Sequence, residues 1–264
     1  MLRAAAQRIA TSSFPGERAA CFKAQRTYHS PMSAEFIFEQ LFDESSSTLT
    51  YIVGDAAARE ALIVDSVDHQ IERDLGVLAS HGLRLIFTLE THAHADHITA
   101  AGELRRRTGA KAAAPFNCGI GPADVHVEEG SVIRAGNELL TAIETPGHTA
   151  GSVCYRWRDA VFTGDTLFIG GCGRADFQGG DAGALYDSIV QRLFTLPEGT
   201  RVFPGHDYNG NRVSTIGEER RDNPRLAGKT RDEFIALMGA LNLPKPTLID
   251  VAVPANRRLG LPQG

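Results

Sequence analysis

The chain holds four cysteines, Cys21, Cys118, Cys154 and Cys172, and none forms a CxxC pair. Such scattered thiols do not make a disulfide framework, and they point to a reducing compartment. No apolar run approaches the roughly eighteen residues that a bilayer crossing needs, which argues against a membrane protein. There is no excess of basic charge either. The 27 Lys and Arg are outnumbered by 32 Asp and Glu, a net charge of −5, and no field is present to draw nucleic acid. Internal repeats and low-complexity tracts are absent. What remains is an ordinary globular composition: 264 residues, 42% hydrophobic, enough for one large domain or two small ones.

The opening thirty-odd residues differ from the rest. Up to Met32 they carry Arg3, Arg8, Arg18, Lys23 and Arg26 against one acid, Glu17. Ser and Ala are frequent and hydrophobic periodicity is weak. The composition suits a mitochondrial transit peptide. It suits equally a disordered extension, or an upstream start codon with the true start at Met32. Residues 1–34 are therefore set outside the fold.

Beyond them, strands are expected at Phe36–Phe38, Leu49–Val53 and Glu60–Val64, the first two joined by the polar turn Asp43–Ser47. Ile71, Leu75 and Leu78 suit an amphipathic helix from about His69 to His81. The apolar run Leu83–Leu89 reads as a buried strand. A helix from about His97 to Arg107 should stop at Gly109. Short strands are expected near Lys111–Ala114, Ser131–Ile133, Leu139–Ile143, Val153–Trp157, Ala160–Thr163 and Arg201–Phe203. Further helices are expected at Ala182–Phe194, Ser214–Arg221 and Arg231–Leu241. Pro244, Pro246 and Pro254 should leave the tail irregular. Many strands with interspersed helices, lacking strict βαβ alternation in the first half, predict an α/β protein with two sheets and helices outside.

The most informative segment is Thr91-His92-Ala93-His94-Ala95-Asp96-His97, directly after a predicted strand. Loops at the carboxyl ends of strands are where α/β proteins gather chemistry. Clustered imidazoles beside a carboxylate are costly in a core and idle on a surface; a metal ion gives them a reason to converge. Three more candidates sit at strand-to-loop junctions: His148 in Thr145-Pro146-Gly147-His148, Asp165 in Phe162-Thr163-Gly164-Asp165, and His206 in Phe203-Pro204-Gly205-His206. One loop histidine alone is ordinarily structural. This grouping reverses that expectation.

In order and spacing, His92-x-His94-x-Asp96-His97, His148, Asp165 and His206 resemble the metal-binding motifs of the metallo-β-lactamase superfamily. The resemblance covers about residues 36–210. It implies a four-layer αββα sandwich, with residues 35–264 as the catalytic domain ending in a short helical segment and the site at one edge between the sheets. Gly170-Gly171-Cys172-Gly173-Arg174 is similar to a loop in two glutathione-using branches, glyoxalase II and the persulfide dioxygenases (the ETHE1-like sulfur dioxygenases). There, a basic residue at the position of Arg174 is implicated in substrate binding. A guanidinium can hold a carboxylate bidentately, although a structural salt bridge to Asp176 or Asp181 would also occupy it. The segments Val213–Glu219, Asn223-Pro224-Arg225-Leu226, Leu241–Pro246 and Ala252–Asn256 look like the persulfide dioxygenases, whereas glyoxalase II carries a longer helical domain after its last histidine. Many members of the former have Arg where this chain has Gly170 and Cys where it has Leu259, so no relay through a C-terminal cysteine is expected. Cys172 fits its glycine-rich turn by size as well as by reactivity.

The resemblance implies one Fe(II) per chain, held by His92, His148 and Asp165, and no organic cofactor. His94, Asp96, His97 and His206 then orient ligands or donate hydrogen bonds; in the dinuclear hydrolases of the superfamily the matching residues bind metal. Asp207 and Tyr208 are placed to hydrogen-bond the histidines, with Asp207 also suited to a turn, and Thr163 to support Asp165 from beneath. The implied reaction oxidises glutathione persulfide with O2 to sulfite and glutathione. Its competitors are a glyoxalase II-type thioester hydrolase with two metals and a non-enzymatic metal-binding or persulfide-sensing module. Implied partners are the small substrate and O2, with neither nucleic acid nor membrane, and a homodimer. The location is a bacterial cytoplasm, or the mitochondrial matrix if residues 1–31 are a transit peptide.

Overall fold

Alternation along two neighbouring strands sets the layering. In β2 (Thr48–Asp55) all eight residues are buried. Leu49, Tyr51 and Val53 join one apolar cluster, while Ile52 joins another on the opposite face. In β3 (Glu60–Val64), Leu62 and Val64 point to the first cluster, Ala61 and Ile63 to the second. Side chains alternate faces along a strand, so strands apolar on both faces must be covered on both. The computed structural model, which describes residues 36–262, covers them with a second sheet on one side and helices on the other. The expected leader at residues 1–34 lies outside the described residues, as does Glu35, the first position of the expected domain.

The first sheet runs β1-β2-β3-β4-β5-β6, with β1 at Phe36–Asp43, β4 at Arg84–Leu89, β5 at Lys111–Pro115 and β6 at Val125–Val127. The second contains β7 (Val132–Ala135), β8 (Glu138–Glu144), β9 (Val153–Trp157), β10 (Ala160–Gly164), β11 (Arg201–Pro204) and β12 (Ser214–Thr215), in the order β12-β11-β10-β9-β8-β7. Between the sheets lie Tyr51, Tyr155, Trp157, Phe162 and Phe203. Burying each such ring contributes about 1.5–3 kcal/mol. The polar tip of Trp157 is satisfied, its Nε1–H donating to Glu138 at 2.7 Å. Helices α1 (Ile71–Ser80) and α2 (Ala101–Thr108) cover the outer face of the first sheet. Helix α3 (Ala182–Ser188) and α5 (Arg231–Gly239) cover that of the second, where Leu185, Ile189 and Phe234 meet Cys154, Val161 and Val202. The expected αββα layering is the observed one.

Several boundaries differ, each for a visible reason. Helix α2 starts at Ala101 rather than His97, because the backbone before it is engaged elsewhere. Thr99 N–H donates to Asn256 at 2.9 Å, and the Ile98 carbonyl accepts from Asp68 N–H. Gly109 ends it as expected, with φ at 75°. The expected helix at Ala182–Phe194 is α3 continued by a π-helical segment, Ile189–Leu193. Strands β6 and β12, three and two residues long, are too short to show alternation. The tail is not wholly irregular: α6 spans Ile249–Asn256 with Pro254 inside it. Its buried side, including Ile249, Ala252 and Asn256, supplies tertiary contacts that offset the donor missing at Pro254. Helix α4 (Ile216–Asp222) and α5 each begin with a capping box, Thr215 with Glu218 and Thr230 with Glu233. None of the described helices is long and apolar enough to cross a membrane.

Candidate metal centre

Four strand ends deliver the site. The histidine loop follows β4, His148 follows β8, Asp165 follows β10 and His206 follows β11. The loops are tied across the two sheets: Val153 N–H donates to the Thr91 carbonyl at 2.9 Å, and Leu49 N–H to that of Gly205 at 2.8 Å. Gly173 is required where the chain crosses the site. A Cβ there would strike the Asp165 carbonyl and sit 2.8 Å from His148 Nδ1.

The two candidate imidazoles are each held from behind. His92 Nδ1–H donates to Thr91 Oγ1 at 2.9 Å, and that hydroxyl donates to Asp65 at 2.8 Å. His148 Nδ1–H donates to the Arg174 carbonyl at 2.7 Å. With the far nitrogens occupied, Nε2 of both rings is free to bind a metal. One ligand atom from each of His92, His148 and Asp165 lies within 4.8 Å of the others. His148 Nε2 is 3.4 Å from Asp165 Oδ2, and His206 Nε2 is 3.4 Å from Asp165 Oδ1. His92 Nε2 and Asp165 Oδ1 are buried with no hydrogen-bond partner. Buried polar atoms are normally paired; two bare lone-pair atoms in one cluster fit a cation. Two imidazoles and a carboxylate suit a non-haem ferrous ion as well as zinc.

A second set surrounds the first. His94 Nε2 faces Glu90 at 3.0 Å and Asp65 at 3.2 Å, leaving Nδ1 bare. His97 Nδ1 faces Asp96 at 2.8 Å, leaving Nε2 bare. His94, Asp96 and His97 also form a group with ligand atoms within 4.8 Å. Burial, reinforced by the neighbouring His94 and His148, holds the His92 ring well below the ordinary histidine range, in the neutral form a metal takes. Burial opposes charging His94 too, but the Asp65 and Glu90 carboxylates overcome it and raise that ring well above its usual value. Burial alone would raise Asp96, yet His97 and its neighbours hold it well below the carboxylate range.

The site opens into a cavity of about 490 Å³ whose wall includes Phe168, Arg174, Tyr208, Arg225, Leu243 and Ile249. Arg174 is fully engaged: Nε and Nη2 donate to Asp176 at 2.6 and 2.7 Å, and Nη1 to the Pro244 carbonyl at 2.6 Å. Asp207 turns away from the histidines and accepts from Asn209 and Asn211 N–H. The Tyr208 ring packs on His206, 5.5 Å between centroids, without hydrogen-bonding it. Thr163 hydrogen-bonds beneath the site, to the Leu167 carbonyl at 2.6 Å. The three described cysteines are buried and free. Burial pushes Cys118 up to about 11 and Cys154 to about 12, so neither is a ready nucleophile. Sequence reasoning missed Asp65, Glu90, Thr48 and Asn256 as parts of this site. Asp65 and Glu90 had a usable signal: both are acids at the carboxyl ends of apolar strands.

The model of the Metallo-beta-lactamase superfamily matches residues 46–115 and 119–206. A human protein named persulfide dioxygenase ETHE1, mitochondrial, is 45% identical over 230 residues, covering 86% of this chain and 90% of the relative. The chain belongs to the ETHE1 persulfide dioxygenase family of the metallo-beta-lactamase superfamily. The crystal structure of ETHE1 from Myxococcus xanthus is 52% identical and superposes with a TM-score of 0.84, covering 85% of this chain and all of that one. A hydroxyacylglutathione hydrolase from Polaromonas sp. is 36% identical over 179 residues, covering 66% of this chain and 67% of the relative. The persulfide dioxygenases therefore match over more of the chain, and at higher identity, than this glyoxalase II-type enzyme.

Proposed function

We propose that this chain is an iron-dependent persulfide dioxygenase that oxidises glutathione persulfide with O2 to sulfite and glutathione. The observation that carries the reading is the convergence of His92, His148 and Asp165 on one point, each imidazole tied from behind. That trio would hold one Fe(II) per chain. Bound there, ferrous iron would supply the electron chemistry that O2 needs to react with a sulfur anion.

The protein's own residues do the rest. Asp65 and Thr91 fix the His92 ring, and the Arg174 carbonyl fixes that of His148. His94, held charged by Asp65 and Glu90, turns Nδ1 toward the site as a donor to anionic reactants. Asp96, His97 and His206 complete the polar wall. Phe168 and Tyr208 flank His206 and limit water at the reacting atoms. Arg174 contacts a glutathione carboxylate in this reading, which takes over the guanidinium face now held by Asp176.

A thioester hydrolase with two metals is the second reading, favoured by the bare atoms of His94 and His97. Oxygen uptake with glutathione persulfide, set against thioester cleavage under nitrogen, separates the two. A homodimer belongs to the same proposal. So does the location: the bacterial cytoplasm, or the mitochondrial matrix with residues 1–31 as a leader. The human, bovine and mouse relatives are named mitochondrial, which supports a mitochondrial location.

A further inference from the structure

From Asp96, through residues that do not line the cavity, a line of hydroxyls leads to the surface. Thr48 Oγ1 lies 3.1 Å from Asp96 Oδ2 and 3.4 Å from His97 Nδ1. Ser46 Oγ lies 2.6 Å from Thr48 Oγ1 and 2.7 Å from Asp43 Oδ2. The other oxygen of Asp43 lies 2.7 Å from His69 Nε2. Thr48 and Asp43 are buried at 1% exposure, whereas the His69 side chain is 49% exposed. The line therefore joins a buried site to solvent.

Proton counting gives this line a property that a structural network lacks. Three oxygen–oxygen links connect Asp96 to Asp43 through Thr48 and Ser46, but the two hydroxyls own only two protons. One link is always short of a proton. Turning both hydroxyls moves the deficit from one end to the other. A third proton arriving at the Asp96 end completes the line, and one leaves at the Asp43 end.

The proposed reaction supplies such protons. Glutathione persulfide, O2 and water give glutathione, sulfite and two protons. None of Thr48, Ser46, Asp43 and His69 lines the cavity, so substrate filling it would leave the hydroxyl line clear.

We propose that Thr48, Ser46, Asp43 and His69 form the relay that carries a proton from the site to solvent during turnover. The proton enters at the Asp96–Thr48 link and the Thr48 hydroxyl proton passes to Ser46. That of Ser46 passes to Asp43, and Asp43 hands one to His69 Nε2. His69 gives one up from Nδ1, which lies 3.1 Å from Asp68 Oδ1, to that carboxylate or to solvent. The groups facing His69 are Asp43, Asp68 and the Ser45 hydroxyl. Desolvation lowers the affinity of His69 for a proton, but the two carboxylates outweigh it and raise the ring above its ordinary value. None of the four residues touches the reacting atoms. They are positioning residues for a proton.

The relay rests on the dioxygenase reading, so its test has two arms. In the first, Ser46→Ala, Thr48→Val and His69→Gln are assayed by oxygen uptake with their iron content measured. The relay predicts kcat lowered at least about tenfold with KM and iron unchanged. Added imidazole should restore His69→Gln, whose gap is at the surface, but not Ser46→Ala, whose gap is buried. Unchanged kcat, or a loss that imidazole leaves untouched in His69→Gln, overturns it. The second arm needs no turnover. The His69 ring is titrated by NMR in zinc-loaded and metal-free protein. Metal loading should shift its midpoint in the wild type and much less in Ser46→Ala. Equal shifts in both overturn the relay even where the protein consumes no oxygen, a result that by itself rejects only the dioxygenase reading.

Discussion

The Asn256 carboxamide donates to the carbonyl of His97 at 2.8 Å, across 159 residues of chain. The same nitrogen donates to the His94 carbonyl at 2.9 Å, and its oxygen accepts from Thr99 N–H at 2.9 Å. One buried side chain from α6 thus fixes the backbone of the histidine loop. Asn256→Ala should cost about 2–4 kcal/mol, because buried carbonyls lose their donors. The checks are a denaturation midpoint, which should fall, and the rate of metal loss to a chelator, which should rise.

Replacement of His92, His148 or Asp165 by Ala should take iron from about one per chain to near zero, and oxygen uptake with it. The three ligand atoms no longer face one point in any of these variants. Elemental analysis checks each one; full iron in any variant removes that residue from the ligand set.

Arg174 ties the Leu243–Pro246 segment to the loop beside the site. Arg174→Ala should keep its iron, lower kcat/KM with glutathione persulfide by about tenfold or more, and expose that segment to proteolysis. Arg174→Lys should recover little, since a point charge does not replace a bidentate fork. A persulfide without carboxylates should be affected less. An unchanged specificity constant in Arg174→Ala contradicts the anchoring role.

Asp74 is fully buried with Oδ2 unpaired. Burial raises its carboxyl to about 6, although Arg73 pulls the other way. A carboxyl raised in the folded state contributes stability that is complete below its unfolded value, near 4, and is lost as pH rises through about 6. Asp74→Asn should therefore match the wild type at pH 4. At pH 8 it should exceed it by about 1–3 kcal/mol. Urea midpoints at the two pH values measure this, and a pH-independent difference contradicts it.

The two-sheet layering was readable from many strands with interspersed helices and no strict βαβ alternation in the first half; in the fold β2, β3, β9 and β10 carry apolar residues on both faces, which only a covered sheet tolerates. The candidate site residues were readable because they lie in strand-terminal loops with a distinctive spacing. Asn256 was not, since its partners are backbone groups far away in sequence, and nothing local marks it. Helix α6 was hidden by three prolines whose local preference is outweighed by burial. The hydroxyl line through Thr48 and Ser46 was hidden because Ser and Thr in a turn ordinarily serve the turn itself. Arg174 was visible together with its salt bridge, for which Asp176 and Asp181 were both expected partners; which of the two carboxylates it meets, Asp176, depends on how the loop folds.

Binding of a single ferrous ion by His92, His148 and Asp165 is tested most directly by oxygen uptake with glutathione persulfide by anaerobically purified protein of known metal content. Uptake should be proportional to iron, with about one iron per active chain and one sulfite formed per O2 consumed. Two zinc ions per chain with no oxygen uptake, and thioester cleavage under nitrogen instead, contradict it.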